Sequence, residues 1–428
     1  MPLLALPNEL LLHIAQNLSV QEDISVLCQA NRRLYDLLQD YLYWYNAQHD
    51  KSSALVFGAL RGLRAVVEKS LRAKPLDIDA PPLPTSRRYM GHNAVCIAIN
   101  RQHPDLVELL LSNGASIHGH CRGKVTYLGT AAQHGNLKTM QVLLDRGASI
   151  HATDGNGMTA LHHAVAWNHL ASVDFLLDRG ADITAMEYLG QTPLCKAALH
   201  GNMDCIQHLI KRGASAELQS PTGRRALYIA MGSGHAEISQ LLLDRGVILE
   251  KREELFHRAA QYGYLACLEM LLKLGVPVDC KGENNTTALY YAASDCTPSD
   301  GGLDIITRLL DAGADMNIRS FHDRTPLFAA ALRGQKSVAK LLLDRGADPN
   351  AYVLYAGEPQ TALWGVLNGD MRNWDIAELL LERGANPNLL CTLQNQHPLV
   401  HPKEYPDDHM LQLMLSKGAD MSRGIPCT

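Results

Sequence analysis

A chain of 428 residues with 46% hydrophobic and 19% charged residues has the makeup of a folded protein. Its formal net charge of −5 gives no basic field to draw in a phosphate backbone, so direct nucleic-acid binding is not expected and a protein partner is. Aromatic residues make up only 6%, which leaves Leu and Ala to fill the core.

Met1 to Leu18 is apolar, yet it lacks a basic start and carries Asn8, Glu9 and His13, unlike a secretion signal. No stretch has the run of uncharged apolar residues that a membrane span needs. A soluble protein of the cytoplasm, the nucleus or both is expected, with no membrane partner. The ten cysteines, among them Cys28, Cys96, Cys195, Cys205, Cys267 and Cys391, show no paired CxxC spacing and sit mostly inside apolar helical runs. They read as reduced core thiols.

Residues 1–50 spell three short helices. Pro7 suits a first helical position, and Leu10, Leu11, Ile14 and Leu18 come after it at helical spacing. Ser19 and Asp23 punctuate the chain, and Ile24, Leu27, Leu34, Leu37 and Leu38 continue the apolar face. The order Leu6, Pro7, Glu9, Leu10, Ile14, Leu18, Asp23, Leu27, then Tyr43-Trp44, resembles an F-box. Asn31-Arg32-Arg33-Leu34-Tyr35 departs from the Cys-Arg-x-Trp core of that family. The resemblance implies docking on the Skp-type adaptor of a cullin complex, with Pro7, Leu10, Ile14 and Leu18 as contacts. Read from the residues alone, the same helices serve equally as a cap on the neighbouring part of the chain.

From residue 54 to 428 the chain repeats one phrase. Leu-Leu-Asp-Arg-Gly ends at Gly147, Gly180, Gly246 and Gly346, and looser versions end at Gly114, Gly213, Gly275, Gly313, Gly384 and Gly418. The steps between them are 33, 33, 33, 33, 29, 38, 33, 38 and 34 residues, a solenoid period. In the clearest unit, Leu161, Ala164 and Val165 mark one helix, and Val173, Leu176 and Leu177 a second. Thr159 is placed to cap the first helix, and Gly180 to end the second in a left-handed conformation. Ala181 to Gly190 has turn chemistry and suits an extended hairpin.

Thr159 to Ala164, Thr192 to Ala197, Thr287 to Ala292 and Thr325 to Ala330 carry variants of Thr-Pro-Leu-His-x-Ala. This resembles the ankyrin repeat, and the resemblance implies an all-α solenoid of about ten to eleven helix-turn-helix units joined by β-hairpins, with degenerate first and last units. Departures carry positions. The short step after Gly246 clips the hairpin Val247 to Glu253; Cys296 to Gly302 adds residues between two helices; Tyr352 to Pro359 lengthens a hairpin beside Trp364 and Trp374. Leu55 to Lys74 keeps a second-helix pattern in Val67 and Leu71, with Lys74 in place of the Gly, and Pro402 and Pro406 interrupt the last unit. Pro81-Pro82-Leu83-Pro84 reads as a stiff hairpin or linker, or as an SH3-type ligand.

No HExxH, P-loop, GxSxG or zinc-type CxxC is present, so no catalytic residue, metal or cofactor is expected. Asp154-Gly155-Asn156-Gly157 lacks the alternating ligands of a calcium loop. His162 is the signature histidine and His257 aligns with it; both read as backbone-bonded turn residues. The ankyrin resemblance places His134, His163, Trp167, Lys196, His200, Arg258, Tyr262, Tyr291, Asp295 and Arg333 on a groove that meets a partner. Together the two resemblances imply a non-enzymatic adaptor, in which the F-box-like segment joins a ubiquitin ligase and the groove holds a protein substrate. A scaffold or transcriptional coregulator without a ligase role, and a stoichiometric inhibitor, are the other readings.

Overall fold

The computed structural model of the chain describes residues 53–72, 77–80, 92–217, 225–295, 302–320, 323–355, 358–368, 373–389 and 408–419. The F-box-like segment, the Pro81 to Pro84 run, Lys74, the inserted residues 296–301, Pro402 and Pro406 lie outside them. The chain divides into two compact units, one running to Ala226 and one beginning at Leu227.

The first unit is built from helix pairs: α1 Ser53–Arg61 with α2 Arg64–Arg72, α3 Ala94–Asn100 with α4 Pro104–Ser112, α5 Tyr127–Gln133 with α6 Leu137–Asp145, α7 Ala160–Ala166 with α8 Leu170–Asp178, and α9 Pro193–His200 with α10 Met203–Lys211. The second contains α11 Ala226–Gly232 with α12 Ala236–Asp244, α13 Arg252–Tyr262 with α14 Leu265–Lys273, α15 Ala288–Asp295 with α16 Gly302–Asp311, α17 Pro326–Leu332 with α18 Lys336–Asp344, the strands β1 Tyr352–Tyr355 and β2 Glu358–Thr361, α19 Ala362–Asn368 with α20 Trp374–Glu382, and α21 Asp408–Ser416. Helix α7 packs on its partner α8 and on α5 and α9, the first helices of the neighbouring pairs, so the stack is built from nearest-neighbour contacts.

Each pair folds from its own sequence. Thr126, Thr159, Thr192 and Thr325 stand at the N-caps of α5, α7, α9 and α17, and the hydroxyls of Thr126, Thr192 and Thr325 accept from the N–H groups of Gly129, Cys195 and Phe328. Leu161, Ala164, Val173 and Leu176 are buried between neighbours, as the helical period requires. The Asp-Arg of the repeated phrase joins one pair to the next: Arg212 Nη2 lies 2.7 Å from Asp178 Oδ1, and Arg345 Nη1 lies 2.9 Å from Asp311 Oδ1. Exposed to water and salt, such pairs set register more than they add stability.

The closing glycine has a backbone reason. Gly180 sits at φ +87° with open space where a Cβ would be. Gly180→Ala therefore meets no steric neighbour, and its cost is the left-handed conformation alone, about 1–2 kcal/mol by urea denaturation.

Helix α6 carries an opposite kind of position. Thr139 is fully buried and its hydroxyl finds no hydrogen-bond partner. The same helix position holds buried Leu106, Ile238, Val338 and Ile376 in other pairs. Thr139→Val removes an unpaired buried hydroxyl and is expected to raise the unfolding free energy by about 1 kcal/mol, read from the urea midpoint.

Several expectations need correction. The connections are turns, and among the described residues strand pairing is confined to β1 with β2 and one bridge between His120 and Thr126. Around Ala181 to Gly190 the backbone groups are used otherwise: Gly190 N–H donates to Glu187 O at 2.7 Å, and Tyr188 N–H donates across to Asn156 O of the preceding hairpin at 3.0 Å. The second-helix pattern in Val67 and Leu71 does fall on a second helix, α2, with α1 ahead of it completing the pair. Nor are all the thiols free. Cys96, on the first turn of α3, is joined in a disulfide to Cys121, with Cα atoms 5.5 Å apart. The two lie 25 residues apart, a separation at which no local spacing signals the pairing. Cys195, Cys205 and Cys267 are free and buried as expected.

The irregular units follow the spacing. After Gly246 the connection shrinks to a few residues, with Lys251 at φ +53° before a longer first helix of 11 residues. Val247 and Leu249 turn inward and are buried. The expansion at Tyr352 to Pro359 is the β1–β2 hairpin itself, registered Tyr352 to Thr361 and Tyr355 to Glu358.

Candidate partner-binding face

The signature histidine locks one pair to the next. His162 is fully buried on α7. Its Nδ1 accepts the Thr159 N–H at 3.2 Å, and its Nε2 donates to the Gln191 carbonyl of the following hairpin at 3.1 Å. Those partners assign the tautomer. Burial drives its pKa down to about 4, against the opposing pull of the Gln191 carbonyl. His257 does the same work in the second unit, with Nε2 2.8 Å from Cys280 O.

Residues one position on from the signature lie deeper than the groove reading expects. His163 is buried, and its Nε2 lies 3.0 Å from Asp154 Oδ2. Burial lowers its pKa although Asp154 raises it, so the neutral ring donates to the carboxylate. Asp154 Oδ1 accepts the N–H groups of Asn156 and Met158, both at 2.8 Å. The Asp-Gly-Asn-Gly run is thus a turn organised by its own aspartate. One repeat later, Lys196 Nζ lies 3.8 Å from Glu187 Oε1, with side chains 12% and 3% exposed. Both are the same juxtaposition, an acid on the hairpin and a base nine residues on, and a hairpin-by-hairpin alignment at the 33-residue step would have found it. His163 and Lys196 are consequently structural rather than free contacts.

One turn beyond each of these, the face opens. Trp167, at the C-terminal end of α7, is 58% exposed, and His200, ending α9, is exposed. His134 ends α5 half-buried, its Nε2 3.0 Å from Asn100 Oδ1. Burial lowers its pKa, and His169 nearby adds to that. The hairpin adds residues that sequence reasoning missed: Met186, Tyr188 and Leu189 are exposed, Tyr188 at 76%.

In the second unit the expected residues form two small groups. Arg258 Nε donates to Gly232 O at 2.6 Å while its guanidinium lies 5.4 Å from the Tyr262 ring, and exposed Tyr262 stacks on Tyr264 at 5.9 Å. Asp295 accepts from Gln261 Nε2 at 3.0 Å and lies 3.9 Å from Arg333 Nη2. Half-buried Tyr291 packs against His257, with ring centres 5.7 Å apart. Among the described residues no group of three or more His, Cys, Asp or Glu is placed to hold a metal ion, and no helix is long and apolar enough to cross a membrane.

The family model described as "Ankyrin repeats (3 copies)" matches residues 55–154, 95–187, 185–253 and 256–353, together well over half of the chain. The chain belongs to the ankyrin-repeat family. Among curated relatives, Ankyrin repeat and SOCS box protein 11 of Danio rerio is 41% identical over 92 residues, covering 22% of this chain and 29% of its own. Ankyrin repeat and SOCS box protein 5 of Mus musculus is 39% identical over 95 residues, covering 22% and 27%. Inactive serine/threonine-protein kinase TEX14 of Bos taurus is 32% identical over 121 residues, covering 28% and 8%. The chain thus spans less than a third of the length of these relatives. Ankyrin repeats imply a protein–protein interaction role, and the exposed Trp, Tyr and Arg side chains are of the kinds that dominate binding energy.

Proposed function

We propose that the chain is the substrate-recognition subunit of a cullin-RING ubiquitin ligase of the Skp-adaptor type, with residues 1–50 docking the adaptor and the ankyrin face holding the protein to be modified. The observation that carries the reading is the Leu6-Pro7 to Leu27 pattern set directly ahead of the ankyrin repeats. Two relatives whose names couple ankyrin repeats to a SOCS box follow a similar plan of repeats plus a second module. The chain itself performs no bond chemistry; it raises the effective concentration of a bound protein near an enzyme brought by other subunits. Trp167, His200, Arg258, Tyr262 and Arg333 are the proposed exposed contacts, with His134, Tyr291 and Asp295 at their edges.

Charged substitutions at the adaptor face test this. Pro7→Glu with Leu10→Glu is expected to abolish incorporation into the ligase, scored by pull-down of cullin, while binding of an ankyrin-face partner stays within about twofold. Retained incorporation would return residues 1–50 to the role of a cap.

A further inference from the structure

We propose that Cys96 and Cys121 form a reversible thiol–disulfide exchange site, opened by a low-molecular-weight thiol that attacks Cys121 and expels Cys96, so that redox conditions decide whether the connection ahead of α5 is tied to α3. The inference concerns the repeats alone and does not depend on the adaptor reading of residues 1–50.

The two sulfurs have unlike surroundings. Cys121, on the connection between α4 and α5, is 8% exposed, whereas Cys96 on α3 is fully buried. An external thiolate therefore reaches Cys121 first. Polar donors converge on the other sulfur: His92 Nδ1 lies 2.9 Å and Asn100 Nδ2 lies 3.3 Å from Cys96 Sγ. A bridged sulfur carries no proton, so His92 Nδ1 is the donor in that contact. Asn100 is oriented by its remaining bonds, with Nδ2 donating to Cys96 O at 2.9 Å and Oδ1 accepting from His134 Nε2 at 3.0 Å. Donors favour a thiolate over a neutral bridged sulfur, and a stabilised leaving thiolate departs faster. Cys205 and Cys267 have the opposite setting. Cys205 Sγ itself donates, to Asn168 Oδ1 at 3.2 Å, and burial pushes the two thiols up to about 12 and about 11, which keeps them protonated and inert.

The exchange balances in two steps. A thiolate RS⁻ attacks Cys121 Sγ, the bond to Cys96 Sγ breaks, and its electron pair leaves on Cys96 as a thiolate, giving a mixed disulfide between R and Cys121. A second RS⁻ attacks the R sulfur of that mixed disulfide, releasing RSSR and a Cys121 thiolate. Two RSH are oxidised, the cysteine pair gains two electrons, and the two protons lost by the attacking thiols pass through solvent to the cysteines. RSSR reverses both steps. Opening leaves the stack folded, because other bonds hold the same elements. Asn93 Nδ2 donates to Tyr127 Oη at 2.6 Å and ties the start of α3 to α5, and Cys121 N–H donates to Val125 O at 2.7 Å within the connection. Reduction frees the covalent tie of residues 113–125 to α3 and little else.

The test treats the folded, air-oxidised full chain with excess glutathione, quenches samples over time with an alkylating agent, and locates each modification by peptide mass mapping, which separates this pair from the other cysteines. The expected early species carries glutathione on Cys121 and an alkyl group on Cys96; later both are alkylated, and glutathione disulfide restores the bridge. His92→Ala should slow the first step roughly tenfold, and His92→Asn, which offers a donor near the Nδ1 position, should recover most of the rate. Amide hydrogen exchange over residues 113–125 should quicken roughly tenfold on reduction while α7 and α8 keep their protection. Circular dichroism verifies folding of each variant, and should a variant not fold, the site of the mixed disulfide in the wild type still decides. Absence of the bridge after oxidation, a bridge that resists glutathione in the folded chain, glutathione on Cys96, an unchanged rate for folded His92→Ala, or unchanged exchange over residues 113–125 would overturn the proposal. Adaptor co-elution depends on residues 1–50, so its failure leaves this inference standing.

Discussion

Asp154→Ala is expected to lower the unfolding free energy of the first unit by roughly 3 kcal/mol, because one buried carboxylate satisfies three donors and charged hydrogen bonds contribute more than neutral ones. Those donors are the N–H groups of Asn156 and Met158 and Nε2 of His163. Removing the side chain leaves the His163 ring, itself buried, with an unsatisfied N–H and releases the turn on which Lys124 and Tyr188 rest. Asp154→Asn keeps an acceptor for the turn and should lose about half as much. Urea denaturation followed by circular dichroism measures both. A loss below about 0.5 kcal/mol for the alanine variant would mean that the turn is held by its glycines and not by the carboxylate.

Acid should destabilise the stack well above the carboxylate range. His162 has a folded pKa of about 4 against an ordinary value of 6.5, because burial disfavours the charged ring. A histidine held neutral in the fold contributes its full stability above the unfolded pKa and loses it as pH falls toward the folded one, so the window runs from 6.5 down to about 4. The linkage relation gives a loss of about 2 kcal/mol between about pH 7.5 and 5 from this residue alone. His134, His163 and His257 are shifted in the same direction by burial and add to it. Thermal melts of the wild type and His162→Gln across that range measure the effect. The variant should start lower, having lost the Gln191 contact, and should fall less steeply on acidification. Parallel curves would contradict a neutral buried His162.

The repeat is legible in the sequence because its signals are local and periodic. Leu161, Leu176 and Gly180 recur at a fixed step, and each needs only its own helix or turn to be understood. The threonine caps and the clipped connection after Gly246 are legible for the same reason. Side chains whose roles depend on a neighbouring repeat are harder. His163 and Lys196 sit where a groove contact is expected, yet an acid on the hairpin draws each inward. Cys96 and Cys121 are 25 residues apart and meet only through the folded helix pair that lies between them. Tyr188 and Leu189 read as turn residues, although the turn that carries them holds them out to solvent. The F-box-like residues Leu6 to Leu27 rest on sequence alone.

Size-exclusion chromatography of the full chain mixed with a Skp-type adaptor tests the central claim most directly. The predicted result is a one-to-one complex that is lost when residues 1–50 are removed while the ankyrin stack remains folded. Separate elution of adaptor and full chain would contradict it, and would leave an ankyrin interaction protein in which residues 1–50 have no adaptor role.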